Sequence, residues 1–272
     1  MTEPIRAPHS ADDKYTRGVV GLRTGSDAYP GAAVLGVEAA WRTGIGMVRY
    51  VGPDAPSRLV LARRPETVLG DGRVQAWVIG SGTDAADRPA AEATALRGIL
   101  SGSAPVVVDA GALDFAPEAA APMLVTPHAS EHDALRKRLG LDPVAADADD
   151  DARAAAAAET ARALGATVLL KGSVTIIAAP GGKTARVGPS TPWLATAGTG
   201  DVLGGVLGAL VAAAAASRTL DVDALVDLGA AGAQLHARAA QIAVDALGPH
   251  GGPITALDVA DALPHAVAQL LQ

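Results

Sequence analysis

Hydrophobic residues between Gly18 and Val187 fall in short continuous runs, and most of these runs end in Gly, Asp or Pro. Runs of this length without polar alternation are typical of strands covered on both faces, as in a parallel sheet. The pattern predicts strands at residues 18–23, 47–51, 76–79, 105–108, 123–126, 167–171, 174–178 and 184–187.

Longer segments between and after these runs have the composition of helices. Residues 30–43 are a predicted helix, because proline is common in the first turn of a helix and glycine just after its end, and Pro30 and Gly44 occupy these positions. Residues 152–164, 201–214, 220–246 and 256–271 are further predicted helices. Four aspartates precede the predicted helix at residues 152–164: Asp147, Asp149, Asp150 and Asp151. Acidic side chains are favoured at the positive N-terminal end of a helix, so these residues predict a helix start rather than a metal site. Alternating strands and helices indicate the α/β class.

The composition sets the size and type of the core. The chain has 272 residues, of which 49% are hydrophobic and only 3% aromatic, so Ala, Val and Leu must supply most of the packing. We expect residues 1–272 to form one large domain, because no linker or repeat divides them. Cysteine is absent, which excludes disulfides, thiolate metal sites and cysteine nucleophiles.

Charge and hydropathy narrow the possible partners. The formal net charge of −7 argues against nucleic acid, since phosphate contacts need a basic patch. The most apolar stretch, residues 202–216, is too short for a typical membrane span and predicts a buried helix. The polar segment from Met1 to Lys14 has no apolar core of a signal peptide. These observations predict a soluble cytoplasmic protein.

Two glycine-containing segments partly match known nucleotide-binding motifs but lack other features of those motifs. Residues 80–85 match G-x-G-x-x-A after a predicted strand, but they lie far from the first βαβ unit and no acidic residue follows at the required distance. Their glycines are better explained by close backbone approach to some ligand. Gly182-Lys183-Thr184 resembles the end of a Walker A loop, but Ile177 replaces the required glycine and no helix follows. This second segment predicts a hairpin turn.

Residues 195–201, Ala-Thr-Ala-Gly-Thr-Gly-Asp, are the most informative stretch for chemistry. Gly198 and Gly200 precede a predicted helix, so backbone N–H groups and the helix N-terminus can converge on an anion. Asp201 lies in the first turn of that helix. Two interpretations stay open: Asp201 is a helix N-cap, or it is a base that accepts a proton from a substrate hydroxyl.

This stretch, continued as Val-Leu-Gly-Gly, resembles the G-T-G-D signature of ribokinase-like enzymes, and most of all the ADP- or ATP-dependent NAD(P)H-hydrate dehydratases. Other segments match that family in the same order along the chain: Lys14 with 18–20, Gly25-Ser26, residues 30–33, 80–82, Asp109-Ala110, residues 126–128 with Glu131, and Lys171-Gly172 with Thr175. The resemblance implies a ribokinase-like three-layer α/β/α sandwich with a mostly parallel central sheet, and no fused epimerase domain.

The resemblance also implies a reaction. The enzyme would phosphorylate the 6-hydroxyl of the S-epimer of hydrated NADH or NADPH, and loss of phosphate would restore the dinucleotide. Asp201 would be the base and bind substrate, and Gly198 and Gly200 would hold the transferring phosphoryl group. The hydrate pocket would be lined by Ala32, Gly82 and His128. The nucleotide, ADP or ATP, would be bound with Mg²⁺ by Lys171, Gly172, Ser173, Val174 and Thr175.

The chain departs from the family pattern at two positions. Gly111 replaces the second Asp of an Asp-Ala-Asp segment, which puts a carboxylate near metal or water in doubt. Ser130 replaces a glycine after Pro-His-Ala, a change between small residues. Trp193 lies close enough to the anion loop to border the pocket, and His236 is predicted to be a packed core or interface residue.

Alternative functions share the same loop. A kinase of thiazole or pyrimidine alcohols would use residues 198–201 and release a stable phosphorylated product. A nucleotide-binding protein without turnover would not need the Asp201 carboxylate. The residues do not distinguish ADP from ATP, or the hydrate of NADH from that of NADPH. Family resemblance suggests a homo-oligomer, with a tetramer as the expected state.

Overall fold

The computed structural model describes residues 5–271. Their strands form one nine-stranded sheet with the order β3-β2-β1-β4-β5-β6-β7-β8-β9. Strands β1 to β7 pair in parallel, β8 pairs antiparallel with β7, and β9 pairs antiparallel with β8. In chain order the strands are Val19–Arg23, Met47–Tyr50, Val68–Leu69, Ala76–Ile79, Val106–Val108, Met123–Val125, Thr167–Leu170, Thr175–Ala178 and Thr184–Val187. The mostly parallel sheet predicted from the apolar runs is confirmed.

Helices cover both faces of this sheet. In chain order α1 to α8 are Pro30–Thr43, Asp54–Arg63, Ala90–Leu100, Ala129–Arg138, Asp150–Leu164, Thr199–Ala215, Val222–Asp245 and Ala256–Leu270. One hydrophobic core joins the sheet to α1, α6, α7 and α8, and a second core on the opposite face joins it to α3, α4 and α5. The three-layer α/β/α architecture is therefore confirmed. The prediction of a single domain over residues 1–272 stays a prediction.

Small residues set the distance between α1 and α6. An added Cβ at Gly205 would lie 2.9 Å from the Cβ of Ala39 and closer still to the backbone of Gly36. Real Cβ atoms do not tolerate such contacts, so glycine is what allows the two helices to touch. This contact fixes the amino end of α6 beside the amino half of α1, at the carboxyl ends of the central strands.

Two local interpretations made from the sequence are correct. Gly182 and Lys183 lie in the turn of the antiparallel β8–β9 hairpin, and the turn is followed directly by a strand instead of a helix. Asp149 is the N-cap of α5, and its carboxylate accepts a hydrogen bond of 2.8 Å from the amide of Ala152. The acidic cluster is thus a helix entry.

The most apolar stretch of the sequence lies inside α6, whose side chains are buried from Val202 to Ala212. It is a core helix, as the sequence predicts. None of the helices within residues 5–271 is long and apolar enough to cross a membrane. The polar segment from Met1 to Lys14 lies partly outside the described residues, because the description begins at Ile5.

Candidate functional site

Parallel strands bring their following loops together at one edge of the sheet. The turn after β4 carries Ser81, the end of β5 leads to Asp109, the end of β6 to His128, and the end of β7 to Lys171. The amino end of α6 lies at the same edge. Ligands of open α/β sheets bind outside the carboxyl ends of the strands, so this edge is the candidate site.

The anion loop, defined as residues 195–200, ends at the start of α6. Gly198 is the N-cap, with φ +89°, a left-handed conformation that favours glycine. An added Cβ at Gly198 would lie 2.6 Å from Leu35 Cδ1, so the position also lacks space for a side chain. The first amides of a helix have no partner within it, and here they face the site edge.

Asp201 is the third residue of α6, so the N-cap interpretation of this aspartate is wrong and Gly198 occupies that position. One carboxylate oxygen of Asp201 accepts a hydrogen bond from the hydroxyl of Ser81. Burial raises the pKa of Asp201 above its usual range, and the charge of Asp109 adds to this, whereas the Ser81 hydrogen bond and Lys171 act against it. A half-buried carboxylate with a raised pKa beside an anion loop is suited to accept a proton.

Lys171 provides the positive charge of the site. Its Nζ donates to Asp109 Oδ1 at 2.8 Å and lies 3.7 Å from Glu131 Oε2. An added Cβ on Gly200 would be 3.8 Å from the same Nζ, so the ammonium group lies beside the anion loop. Burial opposes the charge on Lys171, but the nearby carboxylates of Asp109, Glu131 and Asp201 outweigh it and raise the pKa of Lys171.

Residues 172–174 follow Lys171 as a turn between β7 and β8, and Thr175 is the first residue of β8. Arg153 on α5 donates to the carbonyl oxygen of Val174 at 3.2 Å and to that of Lys171 at 3.4 Å. The amide of Ser190 donates to the carbonyl oxygen of Ser173 at 3.0 Å. Gly172 and Ser173 are solvent-exposed, which leaves this turn accessible to a ligand.

The residues expected to line the hydrate pocket follow different strands: Gly82 lies after β4 and His128 after β6. Gly82, with φ +68°, packs directly against the Cβ of Ala32, whose side chain is only 7% exposed. Ala32 therefore shapes the wall by packing and not by an exposed side chain. His128 is exposed and caps α4, where its ring accepts a hydrogen bond from the Glu131 amide at 3.3 Å.

The two departures from the family pattern have local explanations. A Cβ added at Gly111 would lie 2.5 Å from Thr83 Oγ1, so an aspartate does not fit this backbone. The Ser130 hydroxyl donates a hydrogen bond of 3.0 Å to Nδ1 of His128, and so takes part in the start of α4.

A buried histidine on α7 lies next to the backbone of Thr199 in the anion loop. His236 on α7 is 8% exposed, as expected for a core residue. Burial lowers the pKa of His236 to about 4, and a hydrogen bond with the backbone of Thr199 acts in the opposite direction. Trp193 is 44% exposed, and its carbonyl oxygen accepts a hydrogen bond from Thr196 within the loop.

Sequence reasoning gave no role to Ser81, to Arg153 or to the Lys171 partners Asp109 and Glu131. Asp109 and Glu131 belong to the matching motifs, so a signal for them existed. The contact between Ser81 and Asp201 joins positions 120 residues apart, and no spacing rule reaches that far. The local signals are a serine between two glycines directly after a buried strand and the family match of residues 80–82.

The side chains at this edge do not form a metal site by themselves. Within residues 5–271 no three His, Asp or Glu side chains are grouped to hold a metal ion. Asp109 Oδ1 accepts hydrogen bonds from both Lys171 and Thr126, the latter at 2.9 Å. Mg²⁺ commonly binds through few protein carboxylates together with substrate phosphates and water. The residues present fit only that arrangement.

A cavity of about 540 Å³ lies at the opposite, amino end of the strands. Two of its arginines have local structural partners: Arg6 pairs with Asp12 at 2.8 Å, and Arg17 donates to the carbonyl oxygen of Gly44 at 2.6 Å. None of the predicted site residues borders this cavity. The carboxyl edge therefore remains the candidate site.

Comparison with solved structures supports the same fold. The chain is similar to an ADP/ATP-dependent NAD(P)H-hydrate dehydratase from Bacillus subtilis that was co-crystallised with ATP and Mg²⁺. The two share 28% sequence identity and superpose with a TM-score of 0.80, over 98% of this chain and 94% of the other.

Comparison with curated sequences supports the family. The chain is 44% identical over 221 residues to a bifunctional NAD(P)H-hydrate repair enzyme of Mycobacterium tuberculosis, which covers 77% of this chain but only 43% of that enzyme. The chain thus spans less than half the length of this relative. It is 32% identical to an ADP-dependent (S)-NAD(P)H-hydrate dehydratase of Neisseria meningitidis, over 91% of this chain and 86% of that protein. The model of the carbohydrate-kinase-type NAD(P)H-hydrate dehydratases matches residues 20–264, and the chain therefore belongs to that family.

Proposed function

We propose that this chain catalyses the nucleotide-dependent dehydration of the S-epimer of hydrated NADH or NADPH, a reaction that repairs the damaged dinucleotide. The observation that carries the proposal is the half-buried Asp201 carboxylate next to the amino end of α6, with the Lys171 ammonium group beside it. A base, an anion loop and a cation at one edge are what phosphoryl transfer to a hydroxyl group requires.

In the proposed reaction, Asp201 accepts the proton of the 6-hydroxyl as that oxygen attacks the terminal phosphorus of the nucleotide. The bond between this phosphorus and its bridging oxygen breaks, and the nucleotide leaves with one phosphate fewer. The hydrate then loses inorganic phosphate and a proton from the neighbouring ring carbon, which restores the double bond. Amides at Gly198 and Gly200 stabilise the negative charge of the transferring group.

We assign the nucleotide to the turn after Lys171, formed by Gly172, Ser173 and Val174, together with Thr175 at the start of β8. The exposure of this turn and its attachment to Arg153 support the assignment. ADP is the donor we expect, and ATP would present its terminal phosphate to the same amides. Mg²⁺ would enter with the nucleotide, bound mainly by phosphate and water oxygens, and would screen the phosphate charge.

We assign the hydrate to the side of the cleft formed by the Gly82 turn and His128. Gly82 allows the backbone to approach a ligand closely, Ala32 supports it from behind, and the exposed His128 ring is available for a polar contact. Substrate and base would then meet at Asp201, which lies between this side and the anion loop.

The experiment that tests this function mixes the purified chain with Mg²⁺, ADP and chemically prepared NADH hydrate. We expect the nicotinamide absorbance to recover, and we expect this recovery to require ADP. Repeating the assay with ATP, and with the hydrate of NADPH, identifies the preferred substrates. If the folded chain binds nucleotide but restores no absorbance with either donor, the dehydratase proposal fails, and thiazole and pyrimidine alcohols become the substrates to screen.

Gly198→Ala is expected to weaken ADP binding by at least roughly tenfold, because the new Cβ would displace the loop amides that bind phosphate. Isothermal titration calorimetry with ADP and Mg²⁺ measures this change. Gly182→Ala is the matched control, since Gly182 also has a positive φ of +94° but has open space around its Cβ position. Equal affinity of the two variants would contradict the assignment of the anion loop.

Localisation and assembly complete the proposal. We propose a cytoplasmic enzyme that acts on small molecules, and a homo-oligomer with four subunits. The alanine-rich helix α5 supports an assembly, since it carries exposed small side chains at Ala152 and Ala155. Light scattering of the purified chain measures its mass, and a monomer would reject the tetramer.

A further inference from the structure

Ser81 is buried and is bonded to the fold through its backbone. It lies in the turn after β4, between Gly80 with φ +93° and Gly82 with φ +68°. Its carbonyl oxygen accepts a hydrogen bond of 2.7 Å from the amide of Gly25, and its side chain is buried, with 2% of the residue exposed. The direction of its hydroxyl group is therefore set by the fold.

That hydroxyl group has one acceptor, Oδ1 of Asp201. Over residues 5–271, the other carboxylate oxygen, Oδ2, receives no hydrogen bond from the protein. A Cβ added at Gly198 would lie 3.9 Å from this Oδ2, so the free oxygen faces the N-cap of α6. One carboxylate oxygen is thus anchored, and the other is turned toward the anion loop.

The same contact affects the charge of Asp201. Burial is the main influence that raises its pKa, and the Ser81 hydrogen bond acts in the opposite direction because it stabilises the ionised carboxylate. Without the hydroxyl group, more of the Asp201 population would be protonated at a given pH and unable to accept a proton.

We infer that Ser81 is a positioning residue for the base: it anchors Oδ1 of Asp201 so that Oδ2 points to the place where the substrate hydroxyl meets the transferring phosphoryl group. This inference rests on the proposed function for the identity of the substrate. The geometry on which it stands, a buried serine bonded to one oxygen of a carboxylate, does not depend on that identity.

Ser81→Ala is expected to lower kcat roughly 10- to 100-fold, as expected for loss of a hydrogen bond to a charged group, with KM changed much less. The acidic limb of the kcat–pH profile is expected to move to higher pH. Ser81→Cys has a somewhat larger side chain but keeps a weak donor, so its kcat should lie between those of wild type and the alanine variant. Ser57→Ala on α2 is the control, since its hydroxyl bonds only backbone carbonyl oxygens there.

A second measurement separates this inference from the proposed function. Titration of the ¹³C carboxyl resonance of Asp201 in wild type and in Ser81→Ala needs no substrate, and we expect a higher midpoint in the variant. If wild type shows no turnover, the proposed function fails while the titration still tests Ser81. Unchanged midpoints in the two proteins, or an unmoved acidic limb in an active enzyme, would overturn the positioning role.

Discussion

Asp201→Asn is expected to slow the ADP-dependent recovery of NADH from its hydrate by roughly 10²- to 10⁴-fold, the usual contribution of a positioned general base. The amide keeps the shape of the carboxylate and can still accept from Ser81, but it cannot take a proton from the substrate. Affinity for ADP should change little, because the loop amides that hold phosphate are untouched. Initial rates of absorbance recovery and calorimetric titration with ADP measure the two quantities.

The same substitution should raise stability at neutral pH. Because the folded-state pKa of Asp201 lies above its unfolded value, ionising the group opposes folding at pH values above the unfolded pKa. Asparagine removes that cost, so the variant should melt higher at pH 7, and the difference should disappear as the pH falls below the unfolded pKa. Asp223→Asn, in the exposed first turn of α7, is the control for both readouts. Wild-type activity in Asp201→Asn would reject the base.

Lys171→Met is expected to destabilise the protein by about 3 kcal/mol, since Asp109 would be left as a buried charge without its partner. The lower end of the usual range applies because the lysine side chain is 20% exposed, against 6% for Asp109. For a chain of this size the loss corresponds to roughly 6–12 °C in melting temperature, which calorimetry measures. Turnover should fall as well, because Lys171 also helps to keep Asp201 ionised.

Lys183→Met is the matched control for that result. Lys183 pairs with Asp227 at 2.7 Å on the surface, where the two side chains are 41% and 53% exposed. Exposed pairs of this kind contribute at most about 1 kcal/mol. If the two lysine variants melted at the same temperature, the ion pair of Lys171 with Asp109 would contribute no more to stability than an exposed pair.

Much of the fold followed from local pattern. The predicted helix at residues 30–43 matches α1 at both ends, because Pro30 and Gly44 mark those ends by their own backbone preferences. The predicted strand at residues 76–79 coincides with β4, whose residues are apolar and mostly buried. An element can be predicted from the sequence alone where single residues determine its boundary, or where both faces of a strand are covered and its residues are all apolar.

Other elements were missed because their stability comes from elsewhere. The helix α4, Ala129–Arg138, is dominated by polar and charged residues. Its N-cap is His128, and histidine is not among the usual capping residues. The helix is held by the capping box with Glu131 and by tertiary packing of a few side chains such as Leu135. The strand β3 has only two residues, too few for any periodic signal.

Some features of the candidate site could likewise be predicted from the sequence and others could not. Gly198, Gly200 and Asp201 lie within four consecutive residues, and a loop of glycines before a helix can be interpreted from spacing alone. The contact of Lys171 with Asp109 and that of Ser81 with Asp201 depend on which strands are neighbours in the sheet. Strand order is a global property of the chain, so these pairs become visible only in three dimensions.

The burial of α6 has a consequence for the thermodynamics of ligand capture. Since α6 is buried from Val202 to Ala212 and its close contact with α1 leaves no room for adjustment, its amino end cannot open without disrupting the core. The conformational entropy of the loop amides is therefore lost when the chain folds, not when phosphate arrives. Binding then proceeds without an ordering penalty, and the interaction energy of the nucleotide is available for affinity and for stabilising the transition state.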